Sequence, residues 1–95
     1  MKVAVSVNEL GEVIPHLGKC KIFYIFTMED GKIEFIESRI TDGNHQNHII
    51  EDIKDCEVVI SGQIGEGMIE NLEKLGIKAV IEEEINEPVE AVSNL

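Results

Sequence analysis

The stretch EVVISGQIGEGMIENLEKLGIKAVI, residues 57–81, decides the fold. Residues 57–61 form a short apolar run with the look of a strand. Gly62-Gln63-Ile64-Gly65-Glu66-Gly67 then turns the chain into a segment with Met68, Ile69, Leu72 and Leu75 at helical spacing. Gly76 stands where a residue in the left-handed conformation ends a helix, and residues 77–81 read as the next strand. A strand, a crossing helix and a second strand make a βαβ unit, whose crossover is right-handed in nearly every case.

The flanks extend this unit. Downstream, Asn86 is placed to cap a last helix, Pro88 is tolerated in its first turn, and Val89, Val92 and Leu95 are expected to face inward. Upstream, Ile49, Ile50 and Ile53 mark one side of a helix over residues 45–55. Before it come two strands, 21–28 and 33–39, joined by Glu29-Asp30-Gly31-Lys32, whose Asp-Gly pair supplies the positive φ angles of a tight hairpin. Glu34, Glu37 and Arg39 suit a sheet edge guarded by charge. In residues 3–7, Val3, Val5 and Val7 alternate with Ala4 and Ser6, a strand with one bulky and one small face. Residues 8–20 have no clean period and contain Gly11, Pro15 and Gly18, which predicts a long loop of functional character. The order β-β-β-α-β-α-β-α predicts an α/β fold, a five-stranded mixed sheet flanked by helices, in one domain over residues 1–95.

Composition narrows the function. Only three Phe and one Tyr occur, with no Trp, so the core is aliphatic and a stacking platform for bases is not expected. The net charge of −11 repels nucleic-acid backbones and anionic lipid. That charge is uneven: residues 1–50 carry five Lys/Arg against seven Asp/Glu, and residues 51–95 three against twelve. All three histidines lie in the less acidic half, where an anion can approach. The apolar run at residues 3–7 is too short for a signal peptide or a membrane span, so a cytoplasmic chain is expected. Cys20 and Cys56 are thirty-six residues apart, with no C-x-x-C pair, and are expected to be reduced thiols.

Three places invite chemistry. The glycines at 62, 65 and 67 lack the Lys-Ser/Thr of a Walker motif and the spacing of a dinucleotide fingerprint. They still offer backbone N–H groups at a helix start, a generic anion site, or simply a tight strand-to-helix turn. A nuclease of the ribonuclease H type on such a sheet needs strand-borne carboxylates, and residues 3–7 and 58–61 have none. His16-Leu17-Gly18-Lys19-Cys20 places an imidazole, a cation and a thiol within five residues. Soft metal centres take imidazole and thiolate ligands, and an anionic cluster favours nearby cations.

These residues carry a resemblance. His-Leu-Gly-Lys-Cys, the strand with Ile22-Phe23-Tyr24-Ile25 and the Glu29-Asp30-Gly31-Lys32 hairpin look like the dinitrogenase iron–molybdenum cofactor biosynthesis family, where the first stretch usually reads His-Phe-Gly-Arg. Ile53-Lys54-Asp55-Cys56-Glu57-Val58-Val59-Ile60, the Gly62-Gln63-Ile64-Gly65 turn, and the run from Glu70-Asn71-Leu72 to Gly76-Ile77 resemble later segments of the same family in the same order. The resemblance implies a ribonuclease H-like motif without nuclease chemistry. It further implies a non-catalytic protein that binds or carries an iron–sulfur or molybdenum-containing cluster, with cofactor-assembly proteins as partners. His16 takes the position of the family's histidine, Lys19 replaces its Arg, and Leu17 its Phe. The expected contacts to the cluster are His16, Gly18, Lys19, Cys20, His45, Gly62 and Gly65, with His16 and Cys20 as metal ligands. Lys21 is expected to help offset the cluster's charge. Cys56 reads first as a packing residue, and His48 as a helix surface residue. The alternatives are a regulatory or interaction module of the same fold without cluster binding, and an enzyme using Cys20 as nucleophile with His16 as base.

Overall fold

The computed structural model describes residues 1–41 and 46–95, and for residues 46–48 the backbone alone. Strands β1 (Lys2–Val7), β2 (Ile22–Glu29) and β3 (Lys32–Ile40) are followed by α1 (Gln46–Ile53), β4 (Val58–Ser61), α2 (Glu66–Lys74), β5 (Lys78–Ile81) and α3 (Pro88–Ser93). The strands form one mixed sheet in the order β3-β2-β1-β4-β5. β1 runs antiparallel to β2 and parallel to β4, while β2–β3 is antiparallel and β4–β5 parallel. This is the five-stranded mixed sheet with flanking helices that the sequence predicts.

The hairpin turns as its Asp-Gly pair requires, with Asp30 at φ 51° and Gly31 at φ 80°. Helix α2 ends as Gly76 predicts. Gly76 has φ 78°, its N–H bonds the Glu73 carbonyl at 3.0 Å, and the Ile77 N–H reaches back to Leu72 at 2.9 Å. Those two bonds satisfy carbonyls that would otherwise be left over at the helix end.

Alternation in β1 divides the core into two layers. Ala4 packs with Ile49, Ile50 and Ile53 of α1 and Met68 and Leu72 of α2, the close approach that a small strand face permits. Val3, Val5 and Val7 pack on the other side against Ala91 and Val92 of α3, together with Phe26, Val58 and Ile60. Phe23 and Ile25 belong to the first layer and Tyr24 and Phe26 to the second, as period-two alternation along β2 demands.

Several expectations need correction. The helical spacing of Leu75 does not bring it onto the buried face of Met68 and Leu72. Leu75 lies just past the last turn of α2 and is 56% exposed, because the chain there is already leaving the helix. In α3 the buried residues are Pro88, Ala91 and Val92, whereas Val89 and Leu95 face outward. The cap is Glu87, one residue later than expected, and its carboxylate accepts from the Val89 N–H at 3.3 Å. The carbonyl of Asn86 instead accepts from Val13, tying the long loop to the start of α3. No described helix is long and apolar enough to cross a membrane.

Candidate functional site

The chain leaves β1 at Val7 and β4 at Ser61, and the register Val5↔Ile60 places those two ends side by side. In open α/β sheets, ligands bind in the crevice beyond the carboxyl ends of parallel strands. Here two loops meet across that crevice. Residues 8–21 follow β1, and the 62–65 turn follows β4.

The first loop is built by short-range bonds. Asn8 Oδ1 accepts from the N–H groups of Leu10 at 2.9 Å and Glu12 at 3.0 Å, and Gly11 takes φ 78° to close that turn. Val13 bridges back to Val7, and the Ile14 N–H bonds the Ser6 carbonyl at 3.1 Å. The loop then lies directly on the second turn. The Gly62 N–H donates to Ile14 at 2.9 Å, and the Leu17 N–H to Gln63 at 3.0 Å. A Cβ on Gly62 would sit 2.7 Å from both the Ile14 carbonyl oxygen and the Pro15 Cα, so only glycine fits.

Residues Leu17–Lys19 form one turn of 3₁₀ helix, with His16 extended at its start and the Lys19 N–H returning to the His16 carbonyl at 3.2 Å. Leu17 is buried and anchors the turn in the core, which leaves His16, Gly18 and Lys19 exposed. Opposite them stand Gln63, Ile64 and Gly65, and the six residues wall an open cleft of about 600 Å³. Gly65 caps α2 with no side-chain hydrogen bond to the backbone at the start of that helix, whose first turn carries Glu66. A Cβ on Gly18 or Gly65 would touch nothing within 4 Å. Side chains at these two positions would occupy the cleft rather than the protein interior.

The predicted residues thus separate. His16, Gly18, Lys19 and Gly65 come together. Gly62 does not line the cleft, because its N–H is engaged by Ile14 and its role is to let two backbones touch. Lys21 lines a second concavity of about 590 Å³ on the far side of the loop, with Leu10, Ile22 and Ile40, and Lys19 borders both. His45 lies outside the described residues, as does the side chain of His48.

Cys20 does not line the cleft that His16 walls. Its side chain is fully buried in the α1/α2 layer, and the thiol donates to the Ile22 carbonyl at 3.1 Å. Burial pushes the thiol up to about 12, which opposes both a thiolate ligand and a nucleophile. Cys56 is a packing residue in the same layer, its thiol pushed up to about 11 by burial first and then by the Asp55 charge. Among the described residues, no group of three His, Cys, Asp or Glu side chains is placed to hold a metal ion.

Sequence reasoning missed Gln63 and Ile64 as cleft walls, although they sit between the two glycines that it singled out. It also missed Ser61, a buried hydroxyl at the end of β4 with no hydrogen-bond partner among the described residues. Nothing in an apolar run ending in Ser marks that.

Comparison with known proteins agrees with the fold. The model of the family described as "Dinitrogenase iron-molybdenum cofactor" matches residues 1–95. No curated protein matches the chain in sequence. Among solved structures, the crystal structure of PH0822 superposes with a TM-score of 0.81 at 23% identity, covering 99% of this chain and 87% of the other. A candidate dinitrogenase from Methanocaldococcus jannaschii gives 0.74 at 18% identity, covering 98% and 85%. A candidate NifB protein from Thermotoga gives 0.64 at 26% identity, covering 96% and 83%. With a family model matched from its first residue to its last, and with a sheet shared with these structures, the chain belongs to the dinitrogenase iron–molybdenum cofactor family.

Proposed function

We propose that this chain is a non-catalytic carrier that receives a preassembled iron–sulfur or molybdenum-containing cluster in the cleft between the 3₁₀ turn and the 62–65 turn, and passes it on to proteins of cofactor assembly. The observation that carries the reading is the cleft itself. An exposed imidazole and an ammonium group stand on one wall, an uncapped helix start forms the other, and Gly18 and Gly65 leave the space between them clear.

The cluster is cargo here, and the donor set suits cargo. A resident metal centre is enclosed by three or four protein ligands, whereas this cleft offers one imidazole. His16 would bind one metal of the cluster, as a borderline ligand that exchanges. Lys19 would offset the negative charge of a sulfide-rich cluster, as a point charge rather than the planar fork of an Arg. Backbone N–H groups at the start of α2 would add donors to the cluster's sulfur atoms. Leu17 stands where the family usually has Phe, and it is buried in the core, so that replacement alters packing and not the cleft wall. Two reduced, buried thiols fit a reducing cytoplasm.

Anaerobic titration of the protein with an isolated molybdenum–iron–sulfur cluster, followed by charge-transfer absorption, tests the proposal. We expect saturable binding near one equivalent that is lost in His16→Ala and kept in Cys20→Ala. Binding unaltered in His16→Ala would overturn the site. No binding to the wild type would favour an interaction module of the same fold.

A further inference from the structure

Helix α3 closes only part of its side of the sheet. It has six residues, and the β2–β3 hairpin extends beyond it. There three of the chain's four aromatic rings meet. Phe35 contacts Tyr24 at 5.3 Å and Phe26 at 5.6 Å between centroids, both edge to face. A groove of about 280 Å³ runs between this cluster and the start of α3, walled by Leu10, Tyr24, Phe26, Phe35, Pro88 and Val89, with Gly11 and Glu87 completing it.

Single exposed apolar side chains are ordinary, but a gathering of them at one concavity is not. Here Leu10 is 83% exposed, Phe35 56% and Val89 47%. A break in register aims Phe35 into this place. Ile25 pairs with Glu37 but Phe26 pairs with Phe35, so Ile36 is an extra residue. In an unbroken strand Phe35 would share the face of Glu37 on the α1/α2 side. The bulge turns it to the α3 side.

Acidic side chains gather at the α3 end of the groove, while Leu10 also borders the concavity that holds Lys19 and Lys21. Glu87 is in its wall, Glu90 lies one turn along α3, and Glu9 and Glu12 flank Leu10 and are exposed. The described lining residues include no Lys or Arg. A second copy of the chain would bring a charge of −11 against −11, which disfavours self-association. We propose that this groove docks a basic amphipathic segment of another protein. Its apolar side chains would seat among Leu10, Phe35 and Val89. Its Lys or Arg heads would meet Glu9, Glu12, Glu87 and Glu90 and lie over the exposed Phe35 ring. The groove shares no residue with the cleft at His16, so a partner can dock while the cleft stays open.

The experiment uses a built-in reporter, since Tyr24 is the only Tyr and there is no Trp. The full chain is titrated with a synthetic helical Leu/Lys peptide free of aromatics and, separately, with its Leu/Glu counterpart. Tyrosine emission and calorimetry follow binding, and circular dichroism checks that each variant is folded. We expect saturable, salt-sensitive binding of the Leu/Lys peptide alone. Binding should weaken about tenfold in Leu10→Ser and in Phe35→Ser, the loss typical of one buried apolar anchor. Leu75→Ser, an exposed apolar change outside the groove, should bind as the wild type does. Equal binding of the Leu/Glu peptide, or unchanged affinity in Phe35→Ser, would overturn the proposal. A dimer seen by sedimentation and abolished by Phe35→Ser would overturn it in favour of a second copy.

Discussion

The backbone N–H of Leu17 donates to the carbonyl of Gln63 at 3.0 Å, and this bond joins the two loops that wall the cleft. It works together with the Leu17 side chain, which is buried and holds the 3₁₀ turn down. The cleft is therefore set by backbone contact between loops that follow neighbouring parallel strands.

Gly62→Ala tests that contact. A Cβ there would sit 2.7 Å from the Ile14 carbonyl oxygen and the Pro15 Cα, both backbone atoms that cannot rotate away. We expect a loss of about 1–3 kcal/mol, the usual cost of overpacking, read from urea denaturation. Unchanged stability would mean that the loops separate easily.

Gly18→Leu tests the opposite property. Its Cβ meets nothing within 4 Å, so stability should stay within about 0.5 kcal/mol of the wild type, as for other surface changes. The cluster titration should lose most of its amplitude, because the side chain fills the cleft. A variant that still binds the cluster fully would place the cargo elsewhere.

The two thiols should be nearly inert in the folded protein. Cys20 is pushed up to about 12 and Cys56 to about 11 by burial, and both side chains pack in the α1/α2 layer. Native-state labelling with a disulfide reagent at pH 7 should be slow and should track unfolding, with both thiols reacting at once in denaturant. Rapid labelling of Cys20 in the native state would revive it as a ligand or nucleophile.

An ion-pair network sets a pH dependence. Arg39 donates to both Asp55 oxygens at 2.6 and 2.9 Å and to the Asp52 carbonyl at 2.8 Å, and Lys2 reaches Asp55 at 3.0 Å. The Arg39 hydrogen bonds, followed by that from Lys2, hold the Asp55 carboxyl well below the usual carboxylate range. A depressed folded pKa means that the stabilisation is present above the unfolded value of about 4 and is lost as pH falls below it. Asp55 is half-exposed, so its contribution is about 1 kcal/mol and is screened by salt. Urea midpoints measured from pH 6 down to pH 3 should fall less steeply in Asp55→Asn than in the wild type.

Ser61→Ala removes a buried hydroxyl that has no hydrogen-bond partner among the described residues. Burying an unsatisfied polar group costs free energy, so this substitution should be neutral or stabilising, by up to about 1 kcal/mol. A clear destabilisation, measured by thermal unfolding, would show that the hydroxyl is hydrogen-bonded in solution.

The fold was legible because its signals are local and agree with one another. The Asp30-Gly31 turn, the C-terminal Gly76 and the alternation of Val3, Val5 and Val7 each need only near neighbours to be read. Helix faces near the ends were less legible. Leu75, Val89 and Leu95 keep helical spacing, yet the helix stops short of Leu75 and the face of α3 is chosen by which strands it meets.

The candidate site divides in the same way. The sequence by itself determined the element order, the family and the loop bearing His16, Gly18 and Lys19, since these depend on residue identity and spacing. Only the tertiary structure decided which neighbours share that loop's cleft. It turned Cys20 into the core, left Lys21 on the far side of the loop, engaged the Gly62 N–H with Ile14 and brought Gln63, Ile64 and Gly65 to face His16. The physical reason is that a side chain's direction in a loop is set by where that loop rests. This loop rests on the end of a strand more than forty residues away in the chain.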